Sequence, residues 1–340
     1  MSLFQKAGWR TVVARYQNPS LWRSFWQLIN TLVPYFVLWL LMIWSLKISY
    51  WITLLLAAAA AGFLVRIFII FHDCGHGSFL KSQKINDIVG SFLGVLLFTP
   101  YYFWRHEHAV HHSSAGNLDQ RGVGDIWTLT VKEYLAADRW TRLKYRLARN
   151  PLIMLIVGPL YLFLVRHRFA CGNAGPRERQ SVRLTNLWVL VSGALMSWAI
   201  GFKAYFAIQF PVVLIASSLG VWLFYVQHQF EGVYWEKNKE WDYLDVALKG
   251  SSYYKLPKIF QWFTGNIGFH HIHHLSPRIP NYLLEKCYKE NTLFQQIKPI
   301  TLFSSLKSLT FRLWDEENRR LVGFRFLKTL RGKAHLLNCT

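Results

Sequence analysis

The 340-residue chain is 52% hydrophobic with a formal net charge of +21 at pH 7, and its length allows one large domain or two small ones. Its Lys and Arg lie between apolar runs that are almost free of charge, which points to a membrane protein with a basic face and away from a nucleic-acid binder. Four dispersed cysteines, Cys74, Cys171, Cys287 and Cys339, form no C-x-x-C pair, so a zinc knot and a disulfide framework are excluded and a reducing compartment is compatible.

In chain order, the N-terminus carries Lys6, Arg10, Arg15 and Arg23 among aromatics, with no small-residue cleavage site. No removable signal peptide is expected, and the first apolar run should stay as an anchor. That run, Ile29 to Leu46, and the next, Ile48 to Phe71, are broken only by Lys47 and Arg66, and both fit the roughly 20 residues that cross a bilayer. Leu184 to Phe202 and Tyr205 to Val226 form a second pair around Lys203. Two shorter runs, 88–103 and 152–165, contain or follow Pro100, Pro151 and Pro159 and read as interfacial or re-entrant helices. The fold class expected is therefore all-α and integral to the membrane. It has four transmembrane helices in two hairpins (29–46, 48–71, 184–202, 205–226), two interfacial helices, and a cytoplasmic helical cap holding a di-metal site. The whole of 1–340 reads as one domain, without repeats or a Gly/Ser linker. The hairpin tips hold one lysine each while the other segments are rich in Lys and Arg, which sets the tips outside and the rest in the cytoplasm.

Of 13 histidines, eleven fall in three short clusters plus one outlier. The clusters are HDCGH (His72, His76), HEHAVHH (His106, His108, His111, His112) and HHIHH (His270, His271, His273, His274); His228 stands alone at the end of the fourth run. Residues three or four apart share a helix face. His72 with His76, His108 with His111 and His112, and His270 with His273 and His274 are thus each predicted to reach a common ion. With His228 that makes nine imidazoles, more than one tetrahedral site takes, so two metals fit the count. Imidazole suits iron, zinc, copper and nickel alike. Parity agrees: four spans put every cluster on the cytoplasmic side, whereas a crossing at 88–103 would strand the second. His106 and His271 fall outside the H-x-x-H-H pattern and are assigned supporting or structural roles. His167, between two arginines, and His335, in the basic tail, read as solvated or lipid-facing. Among carboxylates that could orient imidazoles, Asp73 and Glu107 lie inside the boxes, while Asp119, Asp125 and Glu231 read first as ordinary polar loop residues. Trp104 and Trp262 could shape an apolar substrate tunnel or belong to an interfacial aromatic belt.

The boxes H-x-x-x-H, H-x-x-H-H and H-x-x-H-H, in this order between two apolar hairpins, resemble the membrane fatty acid desaturase family. The run HDCGHGSFLKSQKINDIVG, Trp104-Arg105, the stretch GNIGFHHIHHLSPRIPNY and the tail LWDEENRRLVGF carry the same likeness. Three residues between the first two histidines look like the acyl-lipid branch, and details of boxes one and three look closest to bacterial phospholipid desaturases of the delta-5 type.

The resemblance implies that His72, His76, His108, His111, His112, His228, His270, His273 and His274 bind two iron ions (Fe2+). It also implies that the protein puts a cis double bond into an acyl chain of a membrane lipid, a phospholipid by this likeness, using O2. No fused heme domain is expected, so electrons come from an external carrier of ferredoxin or flavodoxin type. The implied setting is a multi-pass protein of a bacterial cell membrane with the site facing the cytoplasm. A hydroxylase or ketolase of a carotenoid, sterol or alkane is the alternative enzyme, since the same oxidant can return hydroxyl. A non-enzymatic membrane metal carrier is the other alternative, against which stand nearly uncharged spans where a transporter would place polar groups.

Overall fold

A computed structural model describes residues 8–330 except 171 and 173; His335 and Cys339 lie outside the described residues. The chain is mostly helical. The helices that matter for the site are α1 (Leu21–Ser45), α2 (Tyr50–His76), α3 (Gln83–Leu96), α4 (Tyr101–Ser114), α5 (Arg139–Ala148), α6 (Pro176–Ile200), α7 (Phe202–His228), α8 (Lys258–Phe263), α9 (His270–Leu275) and α10 (Asn281–Glu290).

α1, α2 and α7 are each long and apolar enough to cross a membrane, and up to five spans result if each of two bent helix pairs counts as one. α1 opens at Ser20, whose hydroxyl accepts from the Arg23 N–H, the usual repair of an orphan donor at a helix start. α6, expected to carry the third span, begins eight residues earlier than its apolar run. Its first turns hold Arg177, Glu178, Arg179 and Arg183, so only its distal part is apolar, and it packs against α7. α2 is the central helix, with α1, α3, α4 and α7 around it. The buried core runs along it through Ala57, Ala60, Ala61, Leu64, Ile67 and Phe71, and its alanines are small enough to let neighbouring helices come close. Outward faces carry Leu40, Trp44, Leu55, Leu190, Trp198 and Phe206 in the open. Large apolar exposure on this scale marks a surface that lipid covers.

The segment expected to be one interfacial helix at 88–103 is two helices, α3 and α4, bent by 102°. The turn between them has Phe98 at φ 53 and Pro100 as the residue that starts α4, and a proline cannot continue a helix from before it. Tyr101 lies directly over Gly90, where a Cβ would collide with the ring, so the two arms close tightly. The returning arm, α4, brings the second histidine box back beside the first. The second short run is likewise broken: Ile153–Val157 is π-helical and Gly158–Leu164 α-helical, and Ile153–Arg168 meets α5 at 66°.

The structure departs from the all-helical expectation in two small sheets. β1 (Leu129–Thr130) pairs in parallel with β4 (Leu313–Asp315), which pairs antiparallel with β5 (Arg320–Val322); β2 (Tyr253–Tyr254) pairs in parallel with β3 (Pro299–Ile300). They join distant polar segments around the histidine-bearing ends of α2, α4 and α7. Buried Arg149 adds a tie there, donating from Nη2 to the Gln229 side chain at 2.8 Å and to the Phe311 carbonyl at 3.2 Å.

Candidate metal centre

Each histidine is placed by a helix terminus. α2 ends at His76 because Gly77 takes a left-handed conformation (φ 67) and its N–H closes back on Asp73 and Cys74 carbonyls, a conformation that costs glycine little. His228 is the last residue of α7, and the third box forms the short helix α9.

The nine histidines gather in two groups. Ring nitrogens of His72, His76, His108, His112 and His273 lie within 4.8 Å of one another, as do those of His111, His228 and His274. His270 joins the second group, its Nε2 standing 3.0 Å from His228 Nε2. The boxes are therefore split, and the expectation that each box grips one ion is corrected. His108 and His112 face the five-histidine group while His111 faces the other; His270 and His274 face the four-histidine group while His273 crosses to the first. At about 100° per residue, i and i+4 diverge by about 40°, whereas i+3 lies about 60° on the far side of i. An H-x-x-H-H box on a helix thus presents a pair to one centre and a single imidazole to its neighbour.

The spacing fits metal coordination better than it fits hydrogen bonds. Nε2 atoms stand 3.1 Å apart for His108 and His112, 3.1 Å for His112 and His273, and 3.2 Å for His111 and His228. Imidazole nitrogens about 2.0–2.1 Å from one ion would be about 2.9–3.4 Å apart, from octahedral to tetrahedral angles. His112 Nε2 has two such neighbours and so has His228 Nε2, yet a neutral imidazole carries one proton. His111 Nδ1 is 2.6 Å from Asp125 Oδ1 and His228 bonds the Gly250 backbone, which places both protons on Nδ1. Two bare lone pairs then face each other at 3.2 Å, an arrangement that a cation between them stabilises. His76 Nε2, His270 Nδ1 and His274 Nε2 are buried with no partner among the described residues. Burial, then the neighbouring rings, holds His270, His273 and His274 well below the usual imidazole range, so they are neutral and ready to ligate.

Carboxylates and aromatics fix the rings. Asp73 Oδ1 is 3.2 Å from His72 Nδ1, and its Oδ2 accepts from the Asn281 backbone at 2.7 Å and side chain at 2.8 Å. Such partners set the tautomer and orientation of a ligating histidine. Asp125, which read as a loop residue, holds His111. Glu107, inside its box, instead pairs with Arg166 at 2.8 Å, and it makes no hydrogen bond to an imidazole among the described residues. Asp119 accepts from the Asn238 N–H and Glu231 pairs with Lys307, as polar loop residues do. Trp104 stacks on His108 with centroids 4.4 Å apart, and Phe224 packs on His111 and His228. Trp262 sits away from the rings, under the Arg66 guanidinium.

The remaining histidines divide. His106 is exposed. His271 is buried among Tyr253, Tyr288 and Phe294, where burial takes it down to about 3, a structural role as expected. His167 is not solvated or lipid-facing: it is buried, 3.4 Å from the Thr99 hydroxyl. In the tight turn Arg166–Arg168 the two arginines reach Glu107 and Asn186, which turns the middle residue inward. Sequence reasoning carried Asp125 among the candidate carboxylates but ranked its loop reading first, and it missed Asn281, which lies in the SPRIPNY stretch already noted for its likeness.

The family model for fatty acid desaturases matches residues 48–298. The chain belongs to the fatty acid desaturase family. It is 51% identical over 316 residues to a fatty acid desaturase of Bacillus subtilis, covering 93% of this chain and 90% of that one. It is 27% identical over 248 residues to the sn-1 oleoyl-lipid 12-desaturase of Synechocystis, covering 67% and 66%. It is 30% identical over 262 residues to the chloroplastic sn-2 acyl-lipid omega-3 desaturase (ferredoxin) of Helianthus annuus, covering 72% of this chain and 54% of that relative. The protein is thus a fatty acid desaturase, an oxidoreductase acting on acyl lipids, with apolar helices that fit a membrane and histidine groups that could hold a metal.

Proposed function

We propose that this desaturase uses O2 and two iron ions to put a cis double bond into an acyl chain of a membrane lipid, in the first place a phospholipid. The observation that carries this reading is the convergence of nine imidazoles on two neighbouring points. His72, His76, His108, His112 and His273 hold one iron; His111, His228, His270 and His274 hold the other. An unactivated methylene has no acidic proton and no leaving group, so side-chain acids, bases and nucleophiles cannot desaturate it. Bound iron supplies the redox chemistry with dioxygen that side chains lack. In balance, –CH2–CH2– becomes –CH=CH–, and O2 with those two hydrogens, two further electrons and two protons becomes two waters.

The chain's own residues bind, orient and shield. Asp73 and Asp125 keep the Nδ1 protons of His72 and His111 in place, leaving each Nε2 lone pair inward. Trp104 and Phe224 wall the imidazoles and exclude water. The electrons come from a separate carrier of ferredoxin or flavodoxin type. The Helianthus relative is named for ferredoxin, and an acidic carrier suits a chain of net charge +21.

The reading includes one domain of four spans near 29–46, 48–71, 184–202 and 205–226, with α3–α4 and the α5 region re-entering from one side. The polar segments cap that side, and the metal centre faces the cytoplasm of a bacterial cell. The test is metal content by mass spectrometry on protein from iron-supplemented cells. Two irons per chain are expected, and a fully active protein with one metal or none would refute the dinuclear reading.

A further inference from the structure

Arg66 is a cation inside α2, 7% exposed, six residues and so about 9 Å along the helix from His72. An ionisable side chain buried at membrane depth points to a site by default. Its guanidinium lies 3.9 Å over the Trp262 ring, donates from Nε to the Thr31 hydroxyl at 3.1 Å and from Nη1 to the Trp262 carbonyl. Nη2 makes no hydrogen bond among the described residues.

Arg66 lines a cavity of about 490 Å3 between the start of α1, the middle of α2, α8 and α10, within the size range of small-ligand pockets. Arg23 of α1 and Lys258 of α8 line it too. The single carboxylate there, Glu285, is already shared by Lys258 and Lys289. The cavity therefore has cationic donors in excess and takes an anion.

Two further features say which anion. Half-exposed Trp26 lines the cavity, and beside its lining residues in the chain stand exposed Trp22 of α1 and Ile259 and Phe260 of α8, the residue types that sit at headgroup level in a bilayer. The back wall holds Gln27 and Asn281, bonded to each other at 2.9 Å, and Asn281 holds Asp73 beside His72. One face thus meets lipid and the other meets the metal centre. We propose that this cavity binds the phosphodiester of a membrane phospholipid, with Arg66 as its deep donor and Arg23 and Lys258 at its rim, holding the headgroup while its acyl chain reaches the histidines. The inference rests on the lipid-desaturase reading above.

The test titrates the purified full-length protein with dipalmitoyl-phosphatidylglycerol, and in parallel with dipalmitoylglycerol, which lacks the phosphate, using native mass spectrometry. Wild type is expected to prefer the phospholipid by about tenfold or more, and Arg66→Gln to lose that preference, while Arg66→Lys keeps most of it. The double variant Arg23→Gln, Lys258→Gln leaves the buried packing intact and is expected to weaken phospholipid binding at least about threefold, so a misfolded Arg66→Gln does not empty the test. Equal binding of the two lipids by wild type, unchanged binding in both the Arg66→Gln and rim variants, or full displacement by millimolar inorganic phosphate would overturn the proposal. Arg66→Gln that desaturates phosphatidylglycerol with unaltered KM sinks the headgroup site and leaves the desaturase standing. Wild type that binds the lipid yet makes no unsaturated product sinks the desaturase reading instead.

Discussion

Replacing Asp125 with alanine removes a carboxylate that is 9% exposed and 2.6 Å from His111 Nδ1, without touching a proposed ligand. A hydrogen bond to a charged acceptor contributes about 1.5–3 kcal/mol, and lost outer partners lower metal affinity about 10–100-fold, about 1.4–2.7 kcal/mol at tenfold per 1.4 kcal/mol. The two figures overlap. His111 belongs to the four-histidine group, so the loss should fall on one metal of two. Metal content measured through a graded chelator dialysis is expected to drop from two per chain to one at about 10–100-fold lower chelator than wild type, with the five-histidine metal retained. Asp125→Asn, which keeps an acceptor oxygen, should fall between. An alanine variant that loses both metals together, or neither, would refute the assignment of His111 and Asp125 to a separate centre.

Other replacements separate ligands from bystanders. His273→Ala is expected to abolish desaturation and lower metal content from the five-histidine side, read by metal analysis and lipid profile. His271→Ala should keep both metals yet lower stability by about 2–4 kcal/mol, as large-to-small changes in a packed aromatic nest do, measured by thermal unfolding in detergent. Glu107→Gln breaks only the Arg166 pair and is expected to leave metal content unchanged. Gly90→Ala drives a methyl into the Tyr101 ring and should cost about 1–3 kcal/mol. It should also reduce activity by displacing α4, which the same unfolding and activity assays read.

The membrane helices were legible because bilayer thickness writes itself into the chain as uncharged runs, and the α1 and α2 runs were found within a few residues at their outer ends. The runs missed the polar extensions of α2 and α6, since a helix continues beyond the apolar stretch when polar side chains have partners, as Asp73 has in Asn281. Parity asked for the second histidine box beside the first, and the bent α3–α4 segment places it there. Its sharp bend was foreshadowed by Pro100, although not its 102° angle. Eight of the nine histidines were legible in clusters and His228 as an outlier, but their division between two centres depends on where four helices meet. Asp125 and Asn281 come 14 and 208 residues from the groups they hold. Asp125 lies in an irregular loop and Asn281 at the first turn of α10, so no helical period links either to its partner. The small sheets join two- and three-residue strands across the chain, too short for any alternation to show.

The central claim is that these histidines serve desaturation. Gas chromatography with mass spectrometry of fatty acid esters, from cells expressing the wild-type chain or His273→Ala, tests it most directly. The account expects a cis-monounsaturated species that appears with wild type and vanishes in the variant. An unsaturated species that persists in the variant, or an oxygenated lipid in its place, would contradict it.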